Sequence, residues 1–313
     1  MKHLILNLSP LNDRSDMTGV EYTVKKTLAF ALVYIVGALL GEAVVIGSLY
    51  GMGYDPLNGI MPGGMAMELL MYFGFVCFAA VALLYNRWIQ KQQLGFLGLN
   101  GKVLDHGFGA VLAILLIALT LGLGGLFGAV RFSRVNTDPD VTALFLYALA
   151  FVVQGAAEEI LCRGFLLHSL KRKVSLRMAI FISSTVFVLL HIKNTTILDA
   201  DMPYVVLGIV NLYLISFVFA LLVEKRGNLW IACGLHSVWN FILHTVLGLT
   251  LSGNETVTTG LFQFDVDGDN VWTGAEYGLE AGLAVTLVLM VCVGVLLMFS
   301  RQKGKDKNSG IQQ

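Results

Sequence analysis

The chain has 313 residues, of which 56% are hydrophobic and 13% are charged, and its formal net charge at pH 7 is zero. An average soluble domain carries about 25% charged residues. This composition, together with a mean hydropathy of +0.75, therefore argues against a soluble protein. No basic patch with interleaved aromatic residues points to a nucleic-acid partner. We predict a multi-pass integral membrane protein of the cell membrane, with the lipid bilayer as its surroundings.

Residues 1–24 are polar and are predicted to form a cytoplasmic tail without a cleavable signal peptide. A membrane-spanning helix needs about 20 predominantly apolar residues, and eight segments approach that length. We therefore predict an all-α, polytopic bundle of about eight spans over residues 25–300, followed by a cytoplasmic tail at 301–313. The segments are Thr27–Leu49, Met67–Tyr85, Phe108–Val130, Val141–Ala157, Met178–Leu190, Tyr204–Val223, Leu229–Leu249 and Leu279–Phe299.

Basic residues are distributed unevenly between the predicted connections. If the N-terminus lies inside, 18 of the 21 Lys and Arg residues fall in the tails and the inner loops, leaving Arg131, Arg134 and Lys193 outside. Because cytoplasmic loops are enriched in Lys and Arg, this bias predicts eight spans with both termini in the cytoplasm.

Few strongly polar residues lie within the apolar segments, where ionisable groups are costly and are usually functional. The fourth, fifth and seventh spans carry most of them. The set comprises Glu42, Glu68, Gln154, Glu158, Glu159, Arg163, His191, Asn211, His236, Asn240 and His244.

The adjacent carboxylates of Glu158 and Glu159 are the most informative of these groups. Glu159 and Arg163 are four residues apart, with the acid first, which is the favoured order for a helical ion pair. Glu158 is rotated about 100° around the helix and cannot use the same arginine equally well. We expect Glu159 to pair with Arg163, which leaves Glu158 as a general base or acid.

A second polar stripe lies on the seventh span. His236 and Asn240 are also four residues apart, so an imidazole and an amide can face one point and stabilise a developing oxyanion. His191, on the fifth span, would add a second imidazole.

Structural roles compete with these interpretations. The Glu159–Arg163 pair could simply stabilise a helix end, with Arg163 reaching the membrane surface. His244, which no other element supports in the sequence, is expected to be structural. Asn211 is expected to hydrogen-bond between helices.

Three sequence motifs together resemble those of a known family. Glu158-Glu159-x-x-x-Arg163-Gly164, Phe187-x-x-x-His191 and His236-x-x-x-Asn240 are similar, in order and in placement on successive spans, to the motifs of the CAAX-protease and bacteriocin-processing (CPBP, or Abi) intramembrane proteases. The resemblance covers residues 141–249. One difference is Cys162, at a position that is often aromatic in the family, and we expect it to affect packing only.

The resemblance implies an intramembrane endopeptidase with a peptide or protein substrate in or at the membrane, prenylated or of the bacteriocin type. Glu158 would activate the attacking water and Glu159 and Arg163 would support it. His191, His236 and Asn240 would bind the scissile carbonyl group and stabilise its oxyanion.

The use of a metal is left open by the sequence. Glu158, His191 and His236 are a possible zinc set, but we favour metal-independent hydrolysis. Two other functions also remain: a catalytically silent scaffold or immunity protein, and a small proton-coupled transporter that uses the same carboxylates.

The depth of His191 is the main difficulty for a common site. At 1.5 Å per residue it lies about 21 Å along the fifth span from Arg177, whereas Glu158 is expected in the cytoplasmic half. The two residues can meet only if the fifth helix is tilted or begins deeper. We expect a water-filled cavity that opens from the cytoplasmic side.

A second motif lies in the last outer loop. Asp265, Asp267, Asp269 and Glu276 have the spacing of ligands in an EF-hand calcium loop. No amphipathic helix precedes them, so a solvated acidic loop is the competing interpretation, and calcium is a minor alternative.

Overall fold

The computed structural model describes residues 7–14, 16–194, 201–254, 258, 260–268 and 270–309. Within this part of the chain the protein is mostly helical, with one two-stranded antiparallel sheet. The helices are α1 (Gly19–Gly51), α2 (Gly64–Gly74), α3 (Val76–Trp88), α4 (Leu104–Leu126), α5 (Val141–Leu170), α6 (Leu176–Asn194), α7 (Met202–Arg226), α8 (Trp230–Phe241) and α9 (Leu283–Ser309). The strands are β1 (Val130–Val135) and β2 (Phe262–Val266).

Local sequence explains where several helices begin and end. Thr18 and Glu21 form a reciprocal capping box at the start of α1, which satisfies backbone N–H groups that the first helical turn leaves unpaired. Asp140 accepts a hydrogen bond from the Ala143 N–H group at the start of α5. Gly227 ends α7 with a left-handed backbone, which glycine adopts without steric cost.

Five helical segments in the described part of the chain are long and apolar enough to cross a bilayer: Gly19–Gly51, Gly64–Trp88, Leu104–Leu126, Val141–Leu170 and Met202–Arg226. Two further apolar helices, Leu176–Ile192 and Leu283–Phe299, are shorter. The helical membrane bundle is thus confirmed, whereas the number of eight spans remains a prediction.

The basic segments meet at one end of the bundle. Trp230, at the start of α8, donates a hydrogen bond to the Asn100 carbonyl group before α4 (2.6 Å), and Asn100 donates to the Gly227 carbonyl group (2.9 Å). Lys171, after α5, pairs with Glu224 on α7 (2.6 Å). This clustering agrees with the charge bias, and the membrane face that this end occupies stays a prediction.

The tail preceding α1 packs against this same end. The Lys25 ammonium group donates to the Asn12 side chain (2.5 Å) and to the Arg14 carbonyl group (2.7 Å), and the Tyr85 hydroxyl group donates to the Pro10 carbonyl group. The first helix begins at Gly19, several residues before the predicted tail boundary.

The all-α prediction agrees with a mostly helical chain, and one short two-stranded sheet was not predicted. Residues 130–133 alternate apolar with polar side chains, and the strand Val130–Val135 pairs with Phe262–Val266, so that Arg131 lies opposite Asp265. An alternation of period two is the pattern of a strand. The predicted third span included Val130, whereas helix α4 ends at Leu126.

Helices α4 and α8 approach most closely at two glycines. A Cβ atom on Gly109 would lie 2.6 Å from the Leu235 nitrogen and would also overlap the Ile231 carbonyl oxygen, and a Cβ atom on Gly234 would overlap the His106 carbonyl oxygen. Small residues allow such backbone contact between membrane helices. Because α8 carries His236 and Asn240, this contact fixes the depth and rotation of both side chains.

Replacing Gly109 with alanine should therefore push α8 away and destabilise the fold by about 1–3 kcal/mol. The matched variant Gly107→Ala lies on the same helix, where nothing is within 4 Å of the added methyl group, and should be neutral or stabilising. Thermal unfolding of both proteins in detergent measures the difference. Equal unfolding temperatures for the two variants would contradict the close-packing account.

Candidate active site

The Glu158-Glu159 pair lies within one continuous helix rather than at a helix end. The sequence predicted a span that ends at Ala157, but α5 continues to Leu170, and Ile160–Leu167 is π-helical. π-helical turns are rare and are frequent at functional sites. Arg163 lies inside this segment and is completely buried, so it does not reach the membrane surface.

Arg163 forms the buried ion pair that its spacing predicted. Its Nη1 atom lies 2.9 Å from Glu159 Oε1, and neither side chain is exposed. The other side of the guanidinium group donates to Ser216 Oγ on α7 (2.7 Å), and Ser216 donates in turn to Ser184 on α6 (2.8 Å). The arginine thus joins α5 to α6 and α7.

Two aromatic rings complete the surroundings of this cation. The guanidinium carbon of Arg163 lies 4.4 Å from the ring centre of Phe187 and 4.9 Å from that of Phe219. A cation over aromatic faces is stabilised by the ring quadrupole, most strongly where water is excluded. The arginine is therefore held by charge, hydrogen bonds and π contacts at once.

Glu159 also connects α5 to α8. Its Oε1 atom accepts from His236 Nδ1 at 3.0 Å, so one carboxylate oxygen holds both Arg163 and His236. Gly155 makes this approach possible, because a Cβ atom there would lie 2.7 Å from Ser237 Oγ. The carboxylate orients the imidazole so that its Nε2 atom faces Glu158.

Glu158 has different surroundings from its neighbour. Its side chain is 17% exposed, whereas that of Glu159 is fully buried, and its Oε1 atom accepts from Gln154 Nε2 (2.6 Å). Both residues have a buried Oε2 atom without a hydrogen-bond partner, and the difference lies in what surrounds the Oε2 atom of Glu158. This oxygen lies 3.7 Å from His236 Nε2 and 3.8 Å from His191 Nε2. Asn240 donates to Gln154 (2.9 Å) and thereby joins the same network.

The depth of His191 agrees with a common site. The Nε2 atom of His191 is 3.8 Å from Glu158, far less than a helix diameter. Because α5 extends to Leu170, Glu158 lies about 18 Å from the basic end of its helix, and His191 lies about 22 Å from Leu176. Glu158 thus lies farther from the basic end of its helix than the sequence predicted.

These side chains border a cavity of about 190 Å³. Its walls are largely aromatic and aliphatic, and its polar members include all the predicted catalytic residues except the buried Glu159 and Arg163. Four lining residues come from connections at the end of the bundle opposite the basic segments: Leu251, Ser252, Asn254 and Glu280.

The expected approach to this cavity from the cytoplasmic side stays a prediction, and the lining also reaches the opposite end of the bundle. The charge bias assigns the connection between α8 and α9 to the outer face, and that connection borders the cavity. The expectation rested on placing the carboxylates near the inner surface. The longer α5 moves them toward the middle of the bundle.

The alternative zinc site predicted from the sequence consists of Glu158, His191 and His236. His236 Nδ1 is hydrogen-bonded to Glu159, and His191 Nδ1 donates to the Phe187 carbonyl group (2.9 Å). Such partners commonly orient metal-binding imidazoles. However, no group of three or more His, Cys, Asp or Glu side chains in the described part of the chain is positioned to hold a metal ion. Metal binding by Glu158, His191 and His236 therefore stays a prediction that the fold does not test.

The predicted calcium loop is only partly described. Asp265 lies in β2 opposite Arg131, and the Asp267 N–H group donates to the Ala129 carbonyl group (3.0 Å). Asp269 and the side chain of Glu276 lie outside the described residues. Calcium binding therefore stays a prediction, although a first ligand within a paired strand differs from an EF-hand.

A second polar cluster was missed in the sequence. His244 Nε2 lies 2.8 Å from Glu68 Oε1, and Glu68 also accepts from Tyr147 (2.5 Å) and Tyr72 (3.4 Å). His244 was expected to be structural, and the sequence offered no partner for it; α2 supplies that partner. Glu68 and His244 were both recognised as polar residues within spans, but nothing in their spacing could pair them.

Asn211 forms the inter-element hydrogen bonds that were expected of it. Its amide donates to the carbonyl groups of Glu280 (2.8 Å) and Gly282 (3.0 Å). It thus fastens α7 to the start of α9.

Comparison with known proteins agrees with this site. The family model of type II CAAX prenyl endopeptidases, Rce1-like, matches residues 140–242, about a third of the chain. The predicted family resemblance is thereby confirmed. The match includes all three motifs and supports a CAAX-type intramembrane protease in general terms. No curated protein matches the chain significantly.

Replacing the two carboxylates of this CAAX-protease motif should change the stability of the protein to very different extents. Glu159→Gln removes the charge that compensates buried Arg163 and should cost about 3–5 kcal/mol. Glu158→Gln removes a carboxylate with one unpartnered oxygen and should change stability by less than about 1 kcal/mol. Chemical unfolding in detergent measures both values. Similar losses of unfolding free energy in the two variants would show that Glu158 and Glu159 do not have these different roles.

Proposed function

We propose that the chain is an intramembrane endopeptidase in which Glu158 activates water to hydrolyse a peptide bond of a membrane-associated substrate. The observation that carries the proposal is the position of Glu158 Oε2, which is buried, without a hydrogen-bond partner, and directed between two imidazole Nε2 atoms. The match to the CAAX prenyl endopeptidase family supports the same chemistry. Prenylated proteins and bacteriocin-type precursors are the substrate classes that the resemblance suggests.

The distances suit a water molecule rather than direct bonds. Separations of 3.7 and 3.8 Å between Glu158 Oε2 and the two Nε2 atoms are too long for hydrogen bonds. One water can lie within hydrogen-bond distance of the carboxylate and both rings. In the proposed first step, Glu158 takes a proton from this water while the oxygen atom of the water bonds to the scissile carbonyl carbon.

The carbonyl oxygen then carries a negative charge, which hydrogen-bond donors must stabilise. Asn240 borders the cavity, and its Nδ2 group, which donates one hydrogen to Gln154, has a second hydrogen to offer. His236 directs Nδ1–H to Glu159, so its doubly protonated form donates from Nε2, and His191 adds a second imidazole. Such fixed donors stabilise a developing oxyanion in a water-poor site.

Collapse of the tetrahedral intermediate breaks the carbon–nitrogen bond. The proton that Glu158 accepted passes to the leaving amine, and the carboxylate is restored. Glu159 and Arg163 take no proton in this scheme. Glu159 and Arg163 instead position His236, and their ion pair holds this part of the helix in place.

Glu158→Gln should abolish the proposed activity while the protein remains folded. Loss of a general base typically lowers a rate by about 10²–10⁴-fold, so we expect kcat/KM to fall at least a hundredfold. The assay is cleavage of a fluorogenic peptide library by purified protein in liposomes, followed by mass spectrometry.

Glu224→Gln is the matched control, because it also removes a carboxylate, one that pairs with Lys171 away from the cavity. Its activity should stay near that of the wild type. Cleavage by Glu158→Gln within a few-fold of the wild type would refute the proposed role. A wild-type protein that cleaves nothing would favour the scaffold or transporter alternatives.

A further inference from the structure

Glu280 brings a second unneutralised carboxylate to the cavity. It lies just before α9 and borders the same cavity as Glu158. Its Oε1 atom accepts from Trp239 Nε1 (3.0 Å), and its Oε2 atom accepts from the Ser252 N–H group (2.6 Å) and the Ser252 hydroxyl group (3.2 Å). Both oxygens act as acceptors, as in an ionised carboxylate.

These bonds also fix a strained turn at the rim of the cavity. Leu251 and Asn254 exchange two backbone hydrogen bonds (3.0 and 2.9 Å), and the two residues between them have left-handed backbones, with φ of +49° at Ser252 and +77° at Gly253. A left-handed serine is unfavourable and persists where its surroundings hold it. The bonds from Ser252 to Glu280 do so, and they keep the carboxylate at the rim.

The charges around the cavity do not balance. The described lining residues include Glu158 and Glu280 but no Lys or Arg. Arg163 lies beneath the wall and is paired with Glu159. The partners of Glu280 are neutral donors, and no Lys or Arg of the described residues forms an ion pair with it. The two imidazoles lie beside Glu158, so the second proton that the mechanism places on His236 compensates that carboxylate.

We propose that Glu280 makes the cavity select a substrate with a lysine or arginine side chain close to the scissile bond, and disfavour a free carboxylate there. This inference rests on the proposed function, because it assigns the substrate class of the same site. A fixed charge beside a cavity with largely apolar walls attracts an opposite charge more strongly than it would in water. Complementary charge chiefly determines which partner is accepted.

The selectivity can be measured by binding, without cleavage. The full-length protein in neutral phosphatidylcholine nanodiscs is titrated with fluorescent peptides that are acetylated, amidated and N-methylated throughout, so that they resist hydrolysis. A single lysine is moved through successive positions, and each peptide is matched with one that carries norleucine. At one or two neighbouring positions we expect lysine to bind about tenfold more tightly, a difference of about 1.4 kcal/mol.

Glu280→Gln should reduce this preference to about twofold or less, and Glu280→Asp, which keeps the charge, should retain most of it. Glu42→Gln is the matched control, because Glu42 lies in a separate groove between α1 and α2, and its preference should equal that of the wild type. A peptide with a free C-terminal carboxylate at the selected position should bind more weakly than its amide.

Two results would overturn the inference: no position at which lysine binds more tightly, or a preference that survives in Glu280→Gln. Loss of the preference in Glu42→Gln as well would also overturn it, since the effect would then not be local to the rim. Failure of the proposed hydrolysis is distinguishable, because Glu158→Gln tests cleavage and the peptide titration does not depend on it.

Discussion

A buried arginine is the constraint on which the rest of this site depends. Arg163 lies in an apolar bundle with no exposed surface, and an uncompensated charge there would cost several kcal/mol. Its compensation draws on Glu159 of the same helix, Ser216 of α7 and the rings of Phe187 and Phe219. Satisfying one cation therefore fixes three helices relative to one another, and the bond between Glu159 and His236 adds a fourth.

The same constraint separates two chemically identical neighbours. Glu159 is occupied by Arg163 and His236 and acts through the groups that it holds. Glu158 faces the cavity with one oxygen bonded to Gln154 and the other unpartnered. The network thus supplies a rigid frame for the carboxylate that we propose as the general base. The turn that Glu280 holds gives the cavity a charged rim, which is a feature of substrate choice rather than of the bond-breaking step.

The sequence predicted the parts of this arrangement that depend on spacing along one helix. The ion pair of Glu159 with Arg163 follows from a separation of four residues, and the three motifs indicated the family. It could not predict contacts between distant segments. Examples are the hydrogen bond from Arg163 to Ser216, the pairing of His244 with Glu68, and the hydrogen bond from Trp239 to Glu280. A single hydroxyl group or carboxylate has no periodic spacing that would indicate its partner. Short strands are not detected when hydropathy is averaged over segments as long as a membrane-spanning helix.

The central claim is that the carboxylate, the imidazoles and the amide of this cavity suffice to hydrolyse a peptide bond. The most direct test is the activity of wild-type protein after exhaustive chelation, with bound zinc measured by mass spectrometry on the same sample. The account predicts unchanged cleavage at less than about one metal ion per ten protein molecules, since Glu158 is proposed to activate water with the imidazoles and the amide alone. Activity that disappears on chelation and returns in proportion to added zinc would contradict it.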